Sequence, residues 1–88
     1  MSAGFRYSTH AREEMARRGI SVEIADGVLQ QPEQIVLERA PRKAYQSRVE
    51  MDNGKTFLVR LIVDDTVIPA VVVTAYRTSK IQKYWRQS

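Results

Sequence analysis

The chain reads as a single α+β domain in which two short N-terminal helices pack on one face of a four-stranded antiparallel sheet. Three observations give that architecture. Residues 10–19 and 22–31 space their apolar side chains at helical intervals, and Gly19 and Pro32 close the two stretches. Beyond Pro32 the chain turns to extended runs rich in Val, Ile, Leu and Tyr. A hairpin at Asp52-Asn53-Gly54 leaves the paired runs apolar on one face and polar on the other, the pattern of an antiparallel sheet with helices on one side.

Ser8 or Thr9 can cap a first helix beginning at His10, because a side-chain oxygen there accepts a hydrogen bond from a free N–H of the first turn. Ala11, Met15 and Arg18 fall on one stripe of that helix. His10, Glu14 and Arg17 fall on another, so the histidine shares a polar face with a carboxylate and a guanidinium. Ser21 is the cap of a second amphipathic helix carrying Ile24, Ala25, Val28 and Leu29, which stops by Pro32.

Four strands follow, expected at Gln34 to Glu38, Lys43 to Met51, Thr56 to Val63 and Val67 to Arg77. A two-residue turn at Asn53-Gly54 would mix apolar and charged residues on both faces of the central hairpin. A three-residue Asp52-Asn53-Gly54 loop with Gly54 left-handed sets Val49 opposite Phe57, Ser47 opposite Val59 and Tyr45 opposite Leu61, leaving one face apolar. The other face carries Gln46, Arg48, Glu50, Thr56 and Arg60 and is expected to stay open to solvent. Pro69 lacks a ladder donor and favours an edge or a bulge for the last strand. Whether Thr74 and Tyr76 share the face of Arg60 or of Phe57 depends on a register that Asp64-Asp65-Thr66 leaves open.

With 88 residues there is room for one core burying roughly 60% of the unfolded surface, and a large cofactor site is not expected. No cofactor is expected. The absence of cysteine excludes disulfides and thiolate chemistry, and a lone histidine leaves no His/Cys set for a zinc ion, so no metal site is expected. The longest uncharged apolar run, Val67 to Val73, is much shorter than the ~20 residues of a spanning helix. No basic segment followed by an apolar stretch opens the sequence, and the expectation is a cytoplasmic protein with no membrane contact.

The net charge is +4, and its distribution is uneven. Residues 1–66 hold ten Lys/Arg and ten Asp/Glu, whereas residues 67–88 hold Arg77, Lys80, Lys83 and Arg86 with no acid. A basic tail interleaved with Tyr76, Tyr84 and Trp85 suits a polyanion whose bases can stack, since phosphates supply Coulomb attraction and aromatic faces accept bases. The plainer alternative is that Tyr84 and Trp85 cover the edge of the core while the cations are solvated.

The stretch His10, Ala11, Met15, Arg18, Gly19, Ile20, with Ser21-Val22-Glu23, the Pro32-Glu33 pair and the closing Val73-Thr74-Ala75-Tyr76-Arg77, resembles a bacterial family catalogued as domain of unknown function 4258. The likeness spans roughly Tyr7 to Trp85. A common family arginine just before the Met is Glu14 here, so if that arginine binds phosphate in relatives, the role is in doubt in this chain. The order of helices and strands is also similar to that of barnase, colicin RNases and RelE-like toxins. That second resemblance implies an RNA-directed activity and, for toxin members, a cognate antitoxin protein as partner.

Metal-free RNA cleavage needs a base for the 2′-hydroxyl proton, cations for the phosphate, and an acid for the leaving oxygen. His10, at a helix start, fits either proton-transfer role. Arg60 should project from the polar sheet face, where its planar fork can grip phosphate, and Arg77 follows the last strand. Tyr76 can donate a proton or stack on a base. These four form the catalytic expectation, for a small endoribonuclease of toxin type. Arg17, Lys43, Thr74, Lys80 and Lys83 are the expected nucleic-acid contacts, with Arg42 beside Lys43 extending the basic track; Arg18 reads as structural, its stem along the core. The alternatives are a nucleic-acid-binding module without catalysis, and a protein-interaction domain that pairs through its final strand.

Overall fold

The computed structural model describes residues 4–87. The elements run β1 (Phe5–Tyr7), α1 (Thr9–Arg18), α2 (Val22–Gln30), β2 (Gln34–Leu37), β3 (Arg42–Glu50), β4 (Thr56–Asp64), β5 (Ala70–Thr78) and α3 (Ile81–Tyr84), with a short 3₁₀ turn over Asp52–Gly54. The α+β class holds, but the sheet has five strands in the order β1-β5-β4-β3-β2 and is mixed. The expected four antiparallel strands are therefore corrected by β1, which pairs parallel to β5 with Phe5 beside Ala70 and Tyr7 beside Val72. Three residues give no period-2 pattern, and their partner lies at the other end of the chain, so nothing local announces them.

Both helices are delimited by their caps. Ser8 Oγ accepts from Ala11 N at the start of α1, and Ser21 Oγ accepts from Ile24 N at the start of α2. Gly19 closes α1 at φ +69°, and Ile20 N donates to Met15 O, so the chain turns back at once into the core. Ala11, Met15, Ile20, Ala25, Val28 and Leu29 pack on Val59, Leu61 and Val63 of β4 and Val72 and Ala75 of β5. This is the single layer of core between helices and sheet.

The β3–β4 hairpin has the expected register: Val49 opposes Phe57, Ser47 opposes Val59 and Tyr45 opposes Leu61, with Gly54 at φ +71° in the connection. The pairing of β4 with β5 resolves the open face. Tyr76 lies opposite Arg60 and Thr74 opposite Ile62, on the side away from the helices, and a register shift between Ile62 and Val63 turns Ala75 and Arg77 to the helix side. β5 is an interior strand, not the edge that Pro69 favours, because it begins at Ala70, one residue past the proline.

The expected open, charged sheet face is also corrected. Leu58 and Gln46 are fully buried there and Arg60 is 2% exposed. The chain after β5 folds back over this face as α3 and the residues around it, a segment whose brevity hid it in the sequence.

Replacing Gly19 by Ala tests the turn that fixes α1. The added Cβ meets only Arg77 Nη2 at 3.8 Å, ordinary contact, so the cost is the left-handed backbone alone. Urea denaturation should show a loss of about 1–2 kcal/mol.

Candidate functional site

Arg60 organises the face opposite the helices. Its Nε donates to Gln46 Oε1 at 2.7 Å, Nη2 donates to Glu38 Oε2 at 2.7 Å, and Nη1 donates to the Tyr76 hydroxyl. The guanidinium carbon lies 4.6 Å from the centre of the Tyr84 ring and 5.7 Å from that of Tyr76, and the two rings meet edge-on at 6.2 Å. Gln46 passes the network outward: its Nε2 donates to Gln34 Oε1 at 2.8 Å and to Tyr84 O at 3.2 Å. A charge removed from water this far must be paired and hydrogen-bonded, and all three nitrogens of the fork are.

Arg48 stands diagonally beside Arg60 on the same face, two residue pairs along the β3–β4 ladder. It is half exposed and carries two partners. Its Nε and Nη2 donate to the two oxygens of Glu33, each at 3.0 Å, and its carbon lies 4.2 Å over the ring of Trp85. Glu33 also accepts from Arg48 N at 2.8 Å. These bonds hold the Glu33 carboxyl below the usual glutamate range and raise the Arg48 guanidinium, the side-chain hydrogen bond being the largest cause for both. The segment ends against Gln34, whose Nε2 donates to Arg86 O and whose Oε1 accepts from Arg86 N.

The sequence-predicted residues do not form one constellation. Arg60, Tyr76 and Thr74 share the face just described. Arg77 is on the helix side, its carbon 4.6 Å over Phe57 and its Nη1 donating to Met51 Sδ at 3.4 Å. His10 is exposed in the first turn of α1, whereas Arg77 sits by Gly19 at the other end of that helix, a separation of roughly 13 Å along the axis. Arg17 is exposed and paired with Glu14, whose carboxyl is held down by Arg17 and Arg18 together. Arg18 donates from Nε to the same oxygen, consistent with a structural part. Lys43 opposes Val63 on the helix side and pairs with Asp65 at 2.9 Å, which raises its ammonium value. Lys80 and Lys83 are exposed on the C-terminal segment, Lys83 Nζ lying 5.4 Å from the Tyr84 ring. An open apolar notch of about 180 Å³ between α2 and β3, lined by Glu23, Ile24, Gly27, Val28, Ser47 and Val49, includes none of the predicted residues.

Glu33 and Glu38 belong to the site and were not singled out by sequence reasoning. The available signal was the pair of acids flanking β2, the strand beside the one that carries Arg48.

Two measurements test this network. Arg60→Met strands the buried Gln46 oxygen and should cost about 1–3 kcal/mol. Adding Gln46→Leu should cost less than the two single changes together, a coupling of about 1 kcal/mol in a double-mutant cycle. The second is a pH titration of Trp85 emission. Glu33 titrates lower when folded than the ~4.3 of an unperturbed glutamate, so its hold on Arg48 is complete above that value and is lost as pH falls through the lower, folded one. The emission should hold steady down to about pH 4.3 and change only below it, and Glu33→Gln should remove that acid transition.

No curated protein and no solved structure matches the chain. A family model described as Domain of unknown function (DUF4258) matches residues 7–77. That span runs from the last residue of β1 to the penultimate residue of β5 and takes in both long helices, Arg48, Arg60 and Tyr76. On this match, the chain belongs to the DUF4258 family.

Proposed function

We propose that this domain binds single-stranded nucleic acid, RNA in the first place, on the sheet face opposite its helices. The observation that carries this is the stack of Arg48 on Trp85, half exposed beside a C-terminal segment that bears Lys80, Lys83 and Arg86 and no acid. Guanidinium planes at an exposed cationic border are the chemistry that holds bases and phosphates without reading a duplex groove. Both long helices have their apolar sides in the core, and neither stands on this face to enter a major groove.

Binding without cleavage fits the geometry better than hydrolysis. An endoribonuclease using His10, Arg60 and Arg77 would need all three near one phosphate, but Arg60 and Arg77 point to opposite sides of the sheet and His10 lies at the far end of α1. Arg60 is also saturated by protein partners.

The test is fluorescence anisotropy of a labelled oligouridylate titrated with the protein over a range of salt. Wild type should bind, more weakly as salt rises. Lys83→Gln with Arg86→Gln should weaken binding and lower the slope of log K against log salt by about 1.4, two contacts at ~0.7 each. His10→Ala should leave affinity unchanged, and the RNA should be recovered at full length. Absence of binding at low salt would overturn the proposal, and cleavage lost on His10→Ala would replace it with the hydrolytic one.

A further inference from the structure

The segment after β5 does more than border the proposed face. It covers it. Tyr84 and Trp85, consecutive in the chain, lay their rings over Arg60 and Arg48, which are diagonal neighbours on adjacent strands. Diagonal positions of this kind lie ~7–8 Å apart, so the pair of rings forms a two-step stack on two guanidiniums. A guanidinium accepts a nucleobase face as it accepts a tyrosine or tryptophan face.

The cover is weakly held. α3 is four residues long, has no side-chain cap at its start and contains no buried residue. Apart from the two ring stacks and the edge contact of Tyr84 with Tyr76, its attachments are polar: Gln46 to Tyr84 O, and the Gln34 amide to Arg86 N and O. Such a segment opens at much lower free energy than the sheet beneath it. No ion pair retains it. Among the described residues Lys80, Lys83 and Arg86 make none, and Glu33 and Glu38 are already bonded to Arg48 and Arg60.

What lies beneath is built to survive the opening. Arg60 keeps Gln46, Glu38 and Tyr76 whether or not Tyr84 is present, and Arg48 keeps both bonds to Glu33. The fork and the two guanidinium planes are therefore already oriented when the rings leave, which lowers the ordering cost of binding. The family match covers Arg48, Arg60 and Tyr76.

We infer that residues 79–87 are a displaceable cover in which Tyr84 and Trp85 hold the positions that two consecutive bases of a single-stranded RNA take on Arg60 and Arg48. On binding, bases replace rings, while Lys83 and Arg86 move with the segment and stay on the phosphates. The inference rests on the binding proposed above and adds to it a sign: the cations of the segment favour binding, and its rings oppose it.

That sign is measurable. Anisotropy with labelled oligouridylate should show Tyr84→Ala with Trp85→Ala binding more tightly than wild type, by about tenfold if the covered state holds nine-tenths of the population. Lys83→Gln with Arg86→Gln should bind more weakly in the same assay. Because removing both rings can disturb folding, wild type carries a second readout in Trp85, its only tryptophan. Saturating oligouridylate should shift Trp85 emission to the red and raise its quenching by acrylamide. Weaker binding by the ring-deleted protein, or a Trp85 that RNA leaves unchanged or shields from acrylamide, would overturn the cover while leaving nucleic-acid binding intact. If neither protein binds RNA at low salt, the binding proposal itself falls, and the cover with it.

Discussion

A guanidinium in the middle strand of the sheet, 2% exposed, is the constraint on which the rest of this structure turns. An unpaired charge at that depth would cost several kcal/mol, so every element around Arg60 has to bring it something. β3 supplies Gln46, the residue after β2 supplies Glu38, β5 supplies Tyr76, and the C-terminal segment supplies the face of Tyr84. Helix packing explains one side of the sheet by apolar burial alone. The other side is held by a polar network with no buried side-chain nitrogen or oxygen left unpaired among the described residues.

What was legible in the sequence was what short-range physics decides. The two serine caps, the left-handed Gly19 and the hairpin register set by Gly54 each depend on residues within a few positions of one another, and each is present. The back of the sheet departs from its sequence pattern for a specific reason. Gln46 and Arg60 are polar, and polarity in a strand points to solvent, although a side chain that finds enough partners is buried as readily as a leucine. The partners came from Glu38 and Tyr84, 22 and 24 positions away, beyond the reach of any periodicity. Tyr84 and Trp85 lie over Arg60 on the middle strand and Arg48 beside it rather than over an edge of the core, while Lys80, Lys83 and Arg86 are exposed.

Topology also explains why the proton-transfer candidate stands apart from the arginines. α1 packs on β5 through Ala11 and Met15, which commits His10 to the helix side, while strand alternation commits Arg60 to the reverse side. Arg77 would have joined Arg60 had the β4–β5 ladder turned by one residue. The shift between Ile62 and Val63 sets the face of everything after it, and from the sequence that single irregularity could not be placed between Asp64 and Arg77.

The short parallel strand at the beginning of the chain has a consequence for synthesis. Among the described residues β1 has β5 as its one strand partner, and Ser8, which caps α1, is bonded through its N–H to Val72 O and through its hydroxyl to Val73 O. The first and last thirds of the chain are thus joined by contacts 65 positions apart, the slow kind to close. On the ribosome the two helices emerge first and stay unanchored while the β2–β4 meander is made. The sheet can be completed only when its final strand leaves the exit tunnel, so a chain truncated before residue 70 lacks the strand on which its own N-terminus docks.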